Sequence, residues 1–265
     1  LRLCKGRAVV ATVRLLITGR KALVVKNRWE FLIEGGSYPL LDSMCSFSNS
    51  AYFQVYEKLD FMNDCSVQDY RFTSIYCNDE DDSDTVWQIG YELVSLFNGA
   101  NRLFDKNFLK IRIDQLWLNG NRQKFCENYR LCGLLGKPYD PDRVVFAELQ
   151  RSQPNTALKL LIRATESEGF YSLLKYFDME QDWATYYKIL ESVEEWSKKK
   201  GQKLCVNSSE RKRFTNAANN YSLTGIHSRH GFKEQIKKNK TAPMDLDDAH
   251  DFIRNVAEKY VQIFL

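Results

Sequence analysis

Near residue 84 the spacing of apolar side chains changes from that of strands to that of helices, which limits the chain to a fold that mixes the two. Before this point "AVVATVRLLI", "ALVVKNRWEFLIE", "AYFQVYEKLDF" and "YRFTSIYC" are rich in Val, Ile, Tyr and Phe and are separated by clusters of Gly, Asn, Ser and Asp. That pattern predicts a small antiparallel sheet between residues 8 and 76, with "GGSYP" at 35 to 39 as a turn. From "NDEDDSDTVWQIGYELVSLFNGANRLF" onward, Val86, Ile89, Leu93, Leu96, Phe97 and Ala100 recur at three-to-four spacing and define one apolar helix face. Asp84 reads as its N-cap, with the preceding acids at the positive end of the helix dipole. The same acids could hold a divalent cation, but they lack the glycine and distal glutamate of a calcium loop, and capping is the simpler reading.

Later segments extend the helical half. "NFLKIRIDQLWLNG" alternates Leu109, Ile111 and Ile113 against Lys110, Arg112 and Asp114, as a half-buried strand does, and an irregular Gly-, Asn- and Pro-rich stretch follows it. "DRVVFAELQRS", "NTALKLLIRAT" and "GFYSLLKYF" read as helices. "DWATYYKILESVEEWSKKKG" sets Trp183, Tyr186, Tyr187, Leu190 and Val193 on one stripe and stops in lysines before Gly201. Strict helical spacing makes those aromatics core rather than a base-stacking platform. "SSERKRFTNAANNYSL" takes Ser208 or Ser209 as N-cap and puts Phe214, Ala217, Ala218 and Tyr221 on one face, with Arg213, Asn216 and Asn220 on another. The final helix starts at Asp245 as N-cap with Asp248 at N3, and Ala249, Phe252, Ile253, Val256 and Tyr260 form its buried stripe. The predicted class is α+β: a β-rich N-terminal region (1–83), then a helical bundle (84–265) with a strand and loop inserted at 107–141.

Composition removes several function classes. The 44% hydrophobic and 27% charged content is that of a soluble globular protein. Seven scattered cysteines form no C-x-x-C pair and have no histidine at zinc-ligand spacing, so reduced thiols in a cytoplasmic protein are expected. The run at 8–19 is cut by Arg14 and is far shorter than the roughly 20 apolar residues of a membrane span, so no membrane is expected as a partner. There is no Walker loop, G-x-G-x-x-G, G-x-S-x-G or H-E-x-x-H, and neither a cofactor nor a metal is expected. Residues 1–28 carry eight basic side chains and no acid, and residues 198–240 carry twelve basic and two acidic ones, so two basic blocks flank an acidic middle. Such ends suit a polyanion such as RNA, or are solubilising lysines on exposed faces.

Two of the three histidines fall in "GIHSRHGF" (225–232), around Arg229. Imidazole moves protons near neutral pH, and guanidinium holds phosphate through paired hydrogen bonds. Together they suit phosphodiester cleavage, with His230 or His227 for proton transfer and Arg229 for charge on phosphorus. Arg213, Asn216, Asn220 and Lys233 are the nearby candidates for RNA contact. The competing reading pairs Arg229 with Asp247, Asp248 or Asp251 of the final helix and gives a histidine to a backbone carbonyl. His250, beside the buried stripe, reads as structural or solvated.

"WATYYKILESVEEW", "RFTNAANNYSLTGIHSRHGF", "APMDLDDAHDFIRNVAEKY" and the upstream "YELVSLFNGANRLF" resemble HEPN-like helical domains of abortive-infection and toxin-type bacterial proteins, over roughly residues 84 to 264. The resemblance implies a helical bundle, a homodimer, and a metal-independent endoribonuclease acting in anti-phage defence or as a toxin, with RNA and an antitoxin or other protein as partners. The family site is an arginine, four to six residues, then a histidine. No arginine stands at that spacing before His227 or His230, which leaves Arg229-His230 as a variant site. A non-catalytic RNA- or protein-binding assembly or sensor module is the alternative.

Overall fold

The computed structural model describes residues 29–47, 52–62, 65–123, 156–232 and 242–265. The expected strand at 8–17, the helix at 142–152, Lys233, the basic block 1–28 and most of the loop before residue 142 lie outside them. The described residues form an antiparallel sheet followed mostly by helices, an α+β arrangement.

The five described strands are β1 (Trp29–Gly35), β2 (Gln54–Met62), β3 (Cys65–Thr73), β4 (Ile111–Leu118) and β5 (Asn121–Arg122), ordered β2-β3-β1-β4-β5 and antiparallel throughout. Alternation along β1 sends Trp29, Phe31 and Ile33 to the helical side and Glu30 to the other. There Glu30 meets the buried guanidinium of Arg71 at 3.2 Å, and Arg71 lies over the Trp117 ring. Asn119 and Gly120, both at positive φ, make the two-residue turn from β4 to β5. Leu109, expected on the inward face of β4, is exposed and precedes the strand, which begins at the buried Ile111.

Within the segment expected to be strand and turn, Tyr38–Phe47 is a helix, α1. The Ser37 carbonyl accepts from the amides of Leu40 and Leu41, and Leu41 and Met44, three apart, reach the core. Gly35 and Gly36 still turn the chain, both at φ near +75°.

Helix α2 (Ser83–Phe104) is buried nearly all round and forms the central layer. Its N-cap is Asp82 rather than Asp84: the Asp82 carboxylate accepts from the Thr85 amide (2.9 Å) and hydroxyl (2.7 Å). Thr85 at N3 supplies that second donor, and this fixes the start two residues earlier than expected. On one side Gly90 lets the Phe31 ring approach, so that a Cβ there would stand 2.2 Å from a ring carbon. Asn98 bonds both backbone groups of Ile111 (2.9 and 3.1 Å). On the other side Gly99 admits the backbone of α4 (Glu168–Asp178), which follows α3 (Thr156–Glu166).

Helices α5 (Trp183–Lys199), α6 (Ser208–Asn219), the four-residue α7 (Tyr221–Thr224) and α8 (Leu246–Phe264) complete the bundle. Asp245 caps α8 by accepting from the Asp248 amide at 2.7 Å, and the whole expected stripe from Ala249 to Tyr260 is buried. One hydrophobic cluster runs from Trp29 to Val261. Among the described residues no helix is long and apolar enough to cross a membrane.

Candidate functional site

The "GIHSRHGF" segment is held by α5 and α6. Asp182 caps α5, its carboxylate accepting from the Thr185 amide at 2.7 Å. Trp183, Tyr186, Leu190 and Val193 are buried as expected, while Tyr187 is only half-buried. Helix α6 is capped by Asn207, one residue before the expected serine, through the amides of Ser209 (2.9 Å) and Glu210 (3.4 Å). It ends at Asn219 because Asn220 leaves helical geometry (φ −114°, ψ 103°) and its side chain caps α7, accepting from the Ser222 amide (3.2 Å) and hydroxyl (3.0 Å). Asn220 is therefore a helix cap, and the expected polar face of Arg213, Asn216 and Asn220 is interrupted before its last member. Asn216 is half-buried on α6.

The chain then folds back over the end of α6. The Thr224 hydroxyl donates to the Ala217 carbonyl (3.2 Å), Gly225 takes φ 60°, ψ −135°, and the Arg229 amide donates to the Ala218 carbonyl at 2.8 Å. A side chain at Gly225 would strain that backbone. Three residues, Gly225–His227, form a tight turn between these anchors.

Arg229 is the side-chain anchor of the loop. Its guanidinium carbon lies 3.9 Å from the centre of the Tyr187 ring, and a terminal nitrogen stands 3.5 Å from the Glu191 carboxylate. Tyr187 in turn stacks on Phe214, which packs against Trp183 and Phe252. Arg229 thus closes a column of rings spanning α5, α6 and α8. Its carboxylate partner is on α5, not on the final helix; Asp248 of that helix pairs instead with Arg213 (3.5 Å), which also donates to the Pro243 carbonyl at 3.1 Å.

His227 and His230 are exposed, and among the described residues no hydrogen bond or ion pair joins either imidazole to Arg229 or to any other side chain. Three nearby arginines face carboxylates: Arg211 makes two bonds to Glu194 (2.7 and 2.8 Å), beside the pairs of Arg213 with Asp248 and Arg229 with Glu191. Among the described residues no group of three His, Cys, Asp or Glu side chains is arranged to hold a metal.

The loop also carries two bulky apolar residues that its histidines and arginine do not bring to attention. Ile226 is 83% exposed and Phe232 is 78% exposed, with the Phe232 ring edge-on to Tyr221 at 5.4 Å. Leu223 adds a third exposed apolar side chain. Their signal was available: bulky apolar residues in a glycine-bounded polar stretch, off any helical stripe. No family model, curated protein or solved structure matches the chain.

Proposed function

We propose that the chain is a non-catalytic, HEPN-like binding and assembly module whose recognition element is the loop Gly225–Phe232. The observation that carries this reading is the division of labour within the loop. Arg229 is committed to Tyr187 and Glu191, while Ile226 and Phe232 stand in solvent. A loop fixed at its base by backbone bonds and a cation on a ring presents its apolar side chains with little ordering left to lose on binding. Exposed bulky apolar residues on a backbone anchored in this way are a feature of interaction surfaces.

The partner in this reading is a protein rather than a polyanion, because the three arginines around the loop, Arg211, Arg213 and Arg229, each face a carboxylate and are already engaged. The partner proposed is a second copy of the chain, whose apolar loop residues would meet about a two-fold axis with charges of both signs around them. The endoribonuclease reading keeps one favourable observation, the solvent-facing imidazoles of His227 and His230, and assigns them proton transfer on RNA.

One experiment separates the two. Wild type, Ile226→Ser/Phe232→Ser and His227→Ala/His230→Ala are each incubated with a mixed RNA pool in EDTA, and their masses are followed by sedimentation over a range of concentrations. The binding-module reading expects intact RNA throughout and self-association lost only in the apolar variant. RNA cleavage by wild type that disappears in the histidine variant would overturn it in favour of the nuclease.

A further inference from the structure

His250 is the third histidine, and its surroundings differ from those of the other two. It is the fifth residue of α8 and is 7% exposed. Its Nδ1 is 2.7 Å from the hydroxyl of the buried Tyr186 on α5, with the rings edge-on at 5.7 Å. Its Nε2 is buried and has no hydrogen-bond partner.

The hydrogen bond fixes the proton inventory. Burial holds the Tyr186 hydroxyl well above its ordinary pKa, so it keeps its proton, and that proton is taken as the one shared with Nδ1. The imidazole is then the Nε2–H tautomer. Adding a proton puts a hydrogen on Nδ1, so the tyrosine hydroxyl must turn to accept from it, which gives up the bond its own hydrogen makes and leaves an imidazolium in a space stripped of water. The resulting cation also sits at the N-terminal end of a helix, where the dipole disfavours it.

Charges from every packed element bear on it. Arg102 in the last turn of α2 and Lys106 just beyond it oppose protonation, as does Arg254 on α8. Asp251 on α8 favours it. Asp182 at the start of α5 and Asp247 on α8 act on the bonded Tyr186, and from α6 Arg213 reaches Asp248, two residues before His250. Desolvation by burial is the largest cause, Arg254, Lys106 and Arg102 act in the same direction, and Asp251 alone opposes them, so the imidazole pKa is lowered.

We propose that His250 is a proton-operated latch: neutral, it pins the N-terminal part of α8 to α5, and protonated, it releases that part. Release loosens what lies within a few residues: the Asp245 cap, the bonds from Arg213 to Pro243 and Asp248, and the contact of Phe252 with Phe214. The sign follows from the lowered pKa. The latch contributes fully above the unfolded-state value of about 6.5, and its contribution is lost as pH falls from there through the folded-state value.

The test is hydrogen exchange on the full chain at pH 7.5 and 5.5, corrected for the intrinsic pH dependence of exchange. Protection of residues 243–253 is expected to fall roughly tenfold per pH unit within the window, while that of 86–100 in α2 stays constant. His250→Gln retains a polar contact without a titrating group and is expected to abolish the step. Tyr186→Phe serves if that variant does not fold: it is expected to lower protection of 243–253 already at pH 7.5. Unchanged protection in wild type, or the same fall in His250→Gln, would overturn the latch and assign any response to the carboxylates of α8. Normal protection in Tyr186→Phe would overturn it equally.

Discussion

The Glu92 carboxylate on α2 and the Lys175 ammonium on α4 stand 2.8 Å apart, with the glutamate almost wholly buried. The tie extends further: Tyr171 bonds Glu92, Lys175 also reaches Ser95 (2.8 Å), Ser95 donates to Asp178 (2.6 Å), and Asp178 pairs with Lys110 (2.9 Å) next to β4. Removing the cation strands a buried charge, so Lys175→Met is expected to cost about 3–5 kcal/mol. The double variant Glu92→Gln/Lys175→Met removes both charges of this pair and is expected to recover part of that loss. Urea unfolding of the two variants against wild type measures the difference.

Gly99 is expected to be among the least tolerant positions of α2. A Cβ there would stand 1.9 Å from the Leu174 carbonyl oxygen, and the obstacle is backbone rather than a flexible side chain. Gly99→Ala must therefore push α2 and α4 apart, at a cost of about 1–3 kcal/mol or more, despite the better helix propensity of alanine. A lowered Tm checks it, and an unchanged or raised Tm would refute the packing described.

Arg229 is expected to govern the order of the loop rather than the stability of the bundle. Arg229→Ala removes the ring contact and the partly exposed ion pair, together about 0.5–2 kcal/mol. Limited chymotrypsin digestion is expected to cut at Phe232 faster in the variant, with global unfolding little changed.

The cap of α2 should fail in acid. Hydrogen bonds from the Thr85 hydroxyl and amide hold the Asp82 carboxyl below its ordinary pKa. Its contribution is therefore complete above the unfolded value of about 3.9 and is lost as pH falls through the lower folded value. Asp82→Ala is expected to lower Tm at neutral pH and to converge with wild type in strong acid. Asp82→Asn, which can cap without titrating, is expected to keep its contribution there.

What could be read in advance was local. Asp245, Asp248 and the Ala249–Tyr260 stripe announce α8 because the cap and the period lie within one segment. Helix α1 was missed because Tyr38–Phe47 is short and sits in strand-like surroundings, with only Leu41 and Met44 carrying the period to the core. The "HSRH" stretch stands out in the sequence because two of the three histidines flank an arginine there, but the fate of Arg229 depends on Tyr187 and Glu191 some forty positions upstream. Nothing in the loop itself tells which carboxylate an arginine will find. Asn220 looked like a face residue because helical spacing was carried past the point where its own side chain ends the helix.

The Asn98 amide, bonded to both backbone groups of Ile111, has a bearing on how the sheet comes together. Strand β4 pairs with β1 across a wide gap in the chain, Glu30 against Trp117. Closing so large a loop in one step is entropically costly. Asn98 lies only 13 positions from Ile111, so once α2 has docked on β1 through Gly90 and Phe31 the start of β4 is already held near its place. One long closure becomes two shorter ones, and the register of β4 is set by a helix side chain instead of a hairpin turn.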